Sequence, residues 1–255
     1  MPRPEIEVVG LHGFAGSGAL LRRLDVSTAW WTPDLVGHGR RGALRVASFD
    51  AEVERLEGLR HRRQRRRRVL VGYSLGARVG LRWACRFPGA FEALVLVGVA
   101  PGLADPHARS ARTAQDAAWV DVLIAQGIGE FAARWEALPL FASQQRVSPE
   151  LRRWQRQVRR SQDPAGLAHA LEVLGLGAMP PLTPQDCSRL ALPVILVAGA
   201  DDAKFVALAR ELAPRLVQAQ VVVVPNCGHN VALEAPVELA GVIRKVIGEV
   251  KRWRQ

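Results

Sequence analysis

Short apolar runs punctuated by glycine alternate along this chain with stretches whose apolar residues recur every three or four positions. The runs at 5–10, 28–33, 68–72, 94–99, 192–199 and 220–224 read as strands. Several are apolar throughout, the pattern of a strand covered on both faces of a parallel sheet. Helical spacing falls between them, over 51–59, 75–87, 205–213 and 236–253. Ser48 stands where it can cap the first of these helices, with Asp50 and Glu52 near its N-terminus, and Pro88-Gly89 ends the second. Strand and helix patterns in alternation predict βαβ units, hence an α/β fold with a mostly parallel sheet and helices on both faces. After Pro101-Gly102 the pattern changes. From Leu103 to about Arg189 the periodicity is helical, interrupted at Pro139, Pro149, Pro164 and Pro180-Pro181. This predicts a helical cap over 103–189, inserted into a core made of 1–102 and 190–255.

The run at 69–71 leads into Gly72-Tyr73-Ser74-Leu75-Gly76 and then a helix. Gly-x-Ser-x-Gly on a strand–turn–helix places its serine on a sharp turn, with the hydroxyl thrust out of the sheet. Glycines on either side suit a backbone that a β-carbon would oppose. The N–H of Leu75 then opens a helix and is free to meet developing negative charge. His12-Gly13-Phe14 follows the first strand, where a second such donor, the N–H of Phe14, is expected. The Asp34-Leu35-Val36-Gly37-His38-Gly39 loop reads as a glycine-permitted turn in which Asp34 and His38 hold loops. Past the later strands come an acid at Asp201 or Asp202 and then His229. Asp202 is favoured because it falls at the tip of the turn, three residues after Gly199. The order Ser…Asp…His is that of an α/β-hydrolase fold. An imidazole accepts the serine proton, and a carboxylate fixes the imidazole tautomer and supports its positive charge.

Composition adds little to the fold and more to the substrate. Hydrophobic residues make up 49% of 255, enough for a large core. No apolar run nears the ~20 residues of a membrane span, no signal-peptide pattern opens the chain, and a cytoplasmic protein is expected. The three cysteines, Cys85, Cys187 and Cys227, are widely spaced and show no zinc pattern, so they read as reduced, with Cys227 a wall or core residue near His229. No metal or cofactor is expected. The formal charge is +11, and the only lysines are Lys204, Lys245 and Lys251. The densest cluster, Arg60 to Arg68, lacks interleaved aromatics and reads as a solvated linker and not as a nucleic-acid surface.

Further motifs sharpen the picture. Arg78 lies four residues after the serine, Pro101-Gly102-Leu103 opens the cap, and Arg112 is followed four residues on by Asp116. Trp135, Pro139 and Phe141 share one segment, Asp202-Ala203-Lys204-Phe205 follows a strand, and Gly228-His229-Asn230 precedes the last helix. In these features, from Leu11 to about Pro236, the chain resembles the 2-succinyl-6-hydroxy-2,4-cyclohexadiene-1-carboxylate synthases, pyruvate-eliminating members of the α/β-hydrolase superfamily. The resemblance implies that Asp202 is the acid and that Ser74, Asp202 and His229 form a triad in which Ser74 acts as base. It implies a small, carboxylate-rich substrate held by Arg78 and Arg112, with Tyr73, Trp135 and Lys204 around it. Departures are Ala77 in place of a second glycine, Cys227 before Gly-His, and Ser161-Gln162-Asp163-Pro164 where the family is Asn-rich. The same triad serves a carboxylesterase or thioesterase working through an acyl-Ser74, so that chemistry stays open.

Overall fold

The computed structural model describes residues 6–63 and 66–252. Glu5, Gln64, Arg65 and Trp253, which the sequence reading assigns to strand, arginine run and closing helix, lie outside these residues.

The chain runs β1 (Ile6–Leu11), α1 (Ala19–Arg22), β2 (Ala29–Trp31), α2 (Phe49–His61), β3 (Arg67–Tyr73), α3 (Leu75–Arg86) and β4 (Ala93–Val97). It then passes through α4 (Pro106–Glu136), a 3₁₀ stretch (Pro139–Arg146), α5 (Pro149–Arg160), α6 (Pro164–Leu174) and α7 (Pro184–Arg189). It returns through β5 (Val194–Gly199), α8 (Ala203–Leu212), β6 (Ala219–Val224), α9 (Val231–Glu234) and α10 (Pro236–Arg252). The strands form one sheet in the order β2-β1-β3-β4-β5-β6, and every pairing is parallel.

Because strand side chains alternate between faces, the apolar runs feed two cores. Leu70, Leu94, Leu96 and Leu196 face α2, α3 and α8, while Val69, Val71, Val95 and Val97 face α10. Trp83 is fully buried on the leucine side, and its indole N–H donates to Glu57 Oε2 at 2.7 Å. A third core lies in the insertion and joins Leu123, Phe131, Leu167 and Leu171 to Ala15 of the turn after β1.

Ser48 caps α2 by accepting the N–H of Ala51 at 3.2 Å. The insertion's prolines start elements instead of merely interrupting them. Pro106, Pro149, Pro164 and Pro184 each occupy the first helical position, behind caps from Asp105, Ser148, Asp163 and Thr183. The internal break of α4 comes from Gly127, at φ 78°. Helix α7 lies within the range expected for the cap, yet packs on α3. Leu174, Met179, Leu182 and Cys187 join the leucine-side core, and Asp186 sits 3.6 Å from Arg82.

The arginine run departs from the expected solvated linker. Arg60 pairs with Glu57, Arg63 with Glu7, and Arg67 with Glu92. Arg68 is buried in β3 against Glu7 at 2.9 Å. These arginines stitch α2 and β3 to neighbouring carboxylates, because the helix and strand extend into the run from both ends. Among the described residues no helix is long and apolar enough to cross a membrane.

Candidate active site

From β1 the chain steps to one side to form β2 and then to the other to form β3. The loops leaving β1 and β3 therefore diverge, opening a crevice at the carboxyl ends of the strands. Ser74 lies there, with φ 51° and ψ −108°, and its N–H donates to Val97 O at 2.8 Å. The positive φ belongs to the serine itself. The flanking glycines serve close approach instead: a Cβ on Gly72 would lie 2.6 Å from Ala77 Cα, and one on Gly76 would lie 2.1 Å from Leu11 O. A β-carbon is thus opposed at both glycines, by neighbouring backbone and not by their own dihedral angles.

His229 Nε2 is 3.0 Å from Ser74 Oγ, and Nδ1 is 2.7 Å from Asp202 Oδ2. With Nδ1–H donating to the carboxylate, Nε2 is left to accept the serine proton. His229 and Asp202 are buried. Asp201 turns outward and pairs with Arg146. Three features seat the imidazole. Gly98, at φ 59°, clears space where a Cβ would lie 2.7 Å from His229 Cε1. Glu234 accepts the N–H of Gly228 at 2.8 Å and of Asn230 at 3.1 Å, bracketing the histidine from both sides. The ring of Phe205 lies 4.5 Å from that of His229. Glu234 stands out only once the last turns are folded together, so the sequence offered no sign of it.

Two cavities meet at Ser74. One, of about 270 Å³, is lined by Phe14, Leu75, Arg78, Arg112, Trp135 and Lys204, among others. The smaller, about 70 Å³, lies on the Tyr73 side and includes Trp135, Phe141, Arg159 and Asn230. Arg78 Nη1 donates to Leu174 O at 2.7 Å. Burial, helped by the like charge of Arg112 and opposed by Asp116, pulls its guanidinium down to about 9, still protonated near neutrality. Arg112 reaches Asp116 Oδ1 at 2.9 Å. Lys204 is exposed at the rim, its Nζ 5.9 Å from the Phe205 ring centroid. The Tyr73 ring lies 5.5 Å from that of His229, and burial drives its phenol pKa up. Leu75 opens α3, so its N–H belongs to the unpaired first turn. Phe14 presents its ring to Trp135 at 5.2 Å and to Phe131 at 6.0 Å. Cys227 is fully buried and bonds Val224 O, with burial raising its thiol to about 11, which makes it a core residue.

The sequence reading missed Arg159. It is 5% exposed, donates to Glu136 Oε1 at 2.6 Å, and sits 5.9 Å from the Phe141 ring centroid. Its signal was present: Leu151, Gln155, Val158 and Arg159 fall at i, i+4, i+7 and i+8, so Arg159 occupies the inward stripe of α5. Three guanidinium groups thus border the space around Ser74, two in the larger cavity and one in the smaller.

Comparison with known proteins gives the family and agrees with the fold. The profile of the alpha/beta hydrolase family matches residues 8–242. A putative 2-succinyl-6-hydroxy-2,4-cyclohexadiene-1-carboxylate synthase of Bacillus subtilis is 32% identical over 241 residues, covering 92% of this chain and 88% of its own. The synthase of that name from Escherichia coli K12 is 32% identical over 239 residues, covering 92% and 90%. Among solved structures, MenH from S. aureus superposes with a TM-score of 0.91 at 28% identity, over 98% of this chain and 96% of that one. A thermophilic esterase from Thermogutta terrifontis gives 0.80 at 26% identity, over 97% and 91%. The chain belongs to the alpha/beta hydrolase family and is an enzyme built on that fold.

Proposed function

We propose that this enzyme is a carbon–oxygen lyase that eliminates pyruvate from 2-succinyl-5-enolpyruvyl-6-hydroxy-3-cyclohexene-1-carboxylate, giving 2-succinyl-6-hydroxy-2,4-cyclohexadiene-1-carboxylate. His229, oriented by Asp202, takes the Ser74 proton, and the Ser74 oxygen removes the ring proton next to the succinyl carbonyl. The electron pair shifts through the ring double bond to form the diene. The carbon–oxygen bond to the enolpyruvyl group breaks, and the departing enolate gains a proton to become pyruvate. Negative charge develops on the succinyl carbonyl oxygen, where the N–H groups of Phe14 and Leu75 stabilise it. Arg78, Arg112 and Arg159 bind carboxylates, a task suited to a planar guanidinium. Tyr73 and Trp135 form walls, and Lys204 adds positive charge at the rim.

The observation that carries this reading is the set of arginines around the Ser74–His229–Asp202 constellation. Such a setting is poorly matched to a neutral ester and well matched to a polycarboxylate. The names of the relatives at 32% identity point to the same reaction. Purified enzyme should release pyruvate from the cyclohexene substrate in a lactate dehydrogenase-coupled assay. Arg78→Met should raise KM about tenfold to hundredfold, the loss of one charge-assisted hydrogen bond. The likeness to the Thermogutta esterase supports a second reading, hydrolysis through an acyl-Ser74. Rapid p-nitrophenyl ester turnover with a trappable acyl-Ser74 and no pyruvate release would establish it in place of the first.

A further inference from the structure

The turn after β1 contains one internal backbone bond, Gly16 N–H to Gly13 O at 3.1 Å. Most of its restraint comes from elsewhere in the chain. Ala15, at φ 53°, donates its N–H to His38 Nε2 at 3.0 Å. The other ring nitrogen, Nδ1–H, donates to Val36 O at 2.9 Å, which fixes His38 as a neutral acceptor toward the turn. Gln162, 6% exposed at the junction of α5 and α6, spans the same two loops from above. Its Nε2 donates to Gly16 O at 3.4 Å and to Val158 O at 3.0 Å, and its Oε1 accepts the Gly39 N–H at 2.8 Å. Ala15 is buried in the insertion's own hydrophobic core, and the Phe14 ring is packed among Phe131, Trp135 and His38.

We propose that Gln162 and His38 are positioning residues that clamp the turn 13–16, so that docking of the helical insertion and presentation of the Phe14 N–H are one event. The inference rests on the reading that this N–H stabilises the reacting oxyanion. Gln162 and His38 fix the Ala15 N–H and the Gly16 carbonyl, the groups just downstream of Phe14. Rotation of the Phe14 peptide away from Ser74 then requires breaking bonds to two other segments. A displacement of about 1 Å at such a donor is enough to cost up to ~10²-fold in rate.

The test compares wild type with Gln162→Met, which keeps the volume and loses all three side-chain bonds, including those to Gly16 and Gly39. Gln162→Glu keeps the acceptor for Gly39 and loses the donor for Gly16. Each is assayed for pyruvate release, for p-nitrophenyl acetate hydrolysis and for inhibition by methylboronic acid, whose adduct on Ser74 carries negative charge in the oxyanion site. The clamp predicts a kcat about tenfold lower for Gln162→Met with KM within about twofold, and boronate inhibition weakened by a similar factor. Gln162→Glu should fall between it and wild type. Pyruvate binding, which needs no oxyanion donor, should be unchanged. Unaltered kcat and boronate inhibition in either folded variant would overturn the clamp while leaving pyruvate elimination intact. Wild type that hydrolyses the ester and releases no pyruvate would instead remove the lyase reading, and the clamp would be judged on ester turnover.

Discussion

Both turns that border the Ser74 hydroxyl hold a non-glycine residue at positive φ, Ser74 at 51° and Ala15 at 53°. Their restraints come from different places. The turn after β3 is locked by its own neighbours: Gly72 and Gly76 admit the helix and strand backbones, Leu75 is buried in the sheet core, and Ser74 bonds β4. The turn after β1 is locked from a distance, by His38 and Gln162, 23 and 146 residues from their partners, and by aromatic residues of α4. One side of the crevice is therefore as stable as the sheet. The other side depends on the insertion staying docked. A site so arranged can keep Ser74 and His229 assembled while the opposing turn is fixed only when the insertion is docked.

The largest effect expected is at Ser74 itself. Ser74→Gly and Ser74→Ala should both lower turnover at least about 10³-fold, since the group that moves the proton is gone. The pair also separates chemistry from strain. Both lose the hydroxyl, but only glycine accepts φ near +50° freely. Ser74→Gly should therefore unfold with a free energy about 1 kcal/mol higher than Ser74→Ala in urea titrations. Equal stabilities would show that the turn after β3 stores no backbone strain, and the likeness between the two turns would fail.

Gly76→Ala should come next. A Cβ there would lie 2.1 Å from Leu11 O and 2.4 Å from Leu11 C, backbone atoms of β1 that cannot swing aside. The end of β1 and the start of α3 would have to separate, at a cost of about 3 kcal/mol or more. A thermal or urea melt reads this directly. A cost below about 1 kcal/mol would mean that the locally locked turn is the softer of the two.

This contrast also explains what was legible in the sequence. The sheet, the elbow and the order of Ser74, Asp202 and His229 rest on short-range signals, because a parallel strand and its following turn write their requirements into adjacent residues. Even there, close approach and not glycine backbone freedom is what Gly72 and Gly76 provide. Gln162 acts through partners far along the chain. Glu234 acts through two backbone N–H groups that only the folded turn before it brings to its carboxylate. The position of Arg159 on the inward stripe of α5 was legible, and only its partner was not. Polar side chains on helices and turns look the same in sequence whether they meet solvent or a buried carbonyl. The arginine run misled partly for the same reason: the carboxylates of Glu7 and Glu92 are brought to it by the fold, while Glu57 pairs with Arg60 one turn away on the same helix.

Acid should distinguish the turns by a smaller amount. Burial, with His12 adjacent, lowers His38 to about 3, and burial lowers His12 as well. A histidine whose folded pKa lies below its ordinary 6.5 contributes stability that is complete above pH 6.5 and lost as pH falls from there toward 3. The slope from His38 alone approaches about 1.4 kcal/mol per pH unit, so about 2 kcal/mol should be gone near pH 5. The turn after β3 has no side chain that titrates in acid. Urea unfolding between pH 4 and 7 should show this slope in wild type and a shallower one in His38→Gln. An identical slope would place the acid sensitivity elsewhere.

Gly16→Ala should give the smallest change, and it bears most directly on the comparison. Its Cβ would meet Gly13 O at 3.0 Å, a contact the turn relieves by a shift of a few tenths of an ångström. The expected cost is about 1 kcal/mol or less, well under that of Gly76→Ala. The shift must nonetheless be absorbed by the bonds from Ala15 to His38 and from Gln162 to Gly16. Activity should therefore fall severalfold, in kcat more than in KM, although stability scarcely moves. At Gly76 the order reverses, with stability failing before any specific effect on kcat can be measured. A turn held by its own neighbours transmits a clash to the whole sheet, whereas a turn held by remote side chains transmits it to the donor they position.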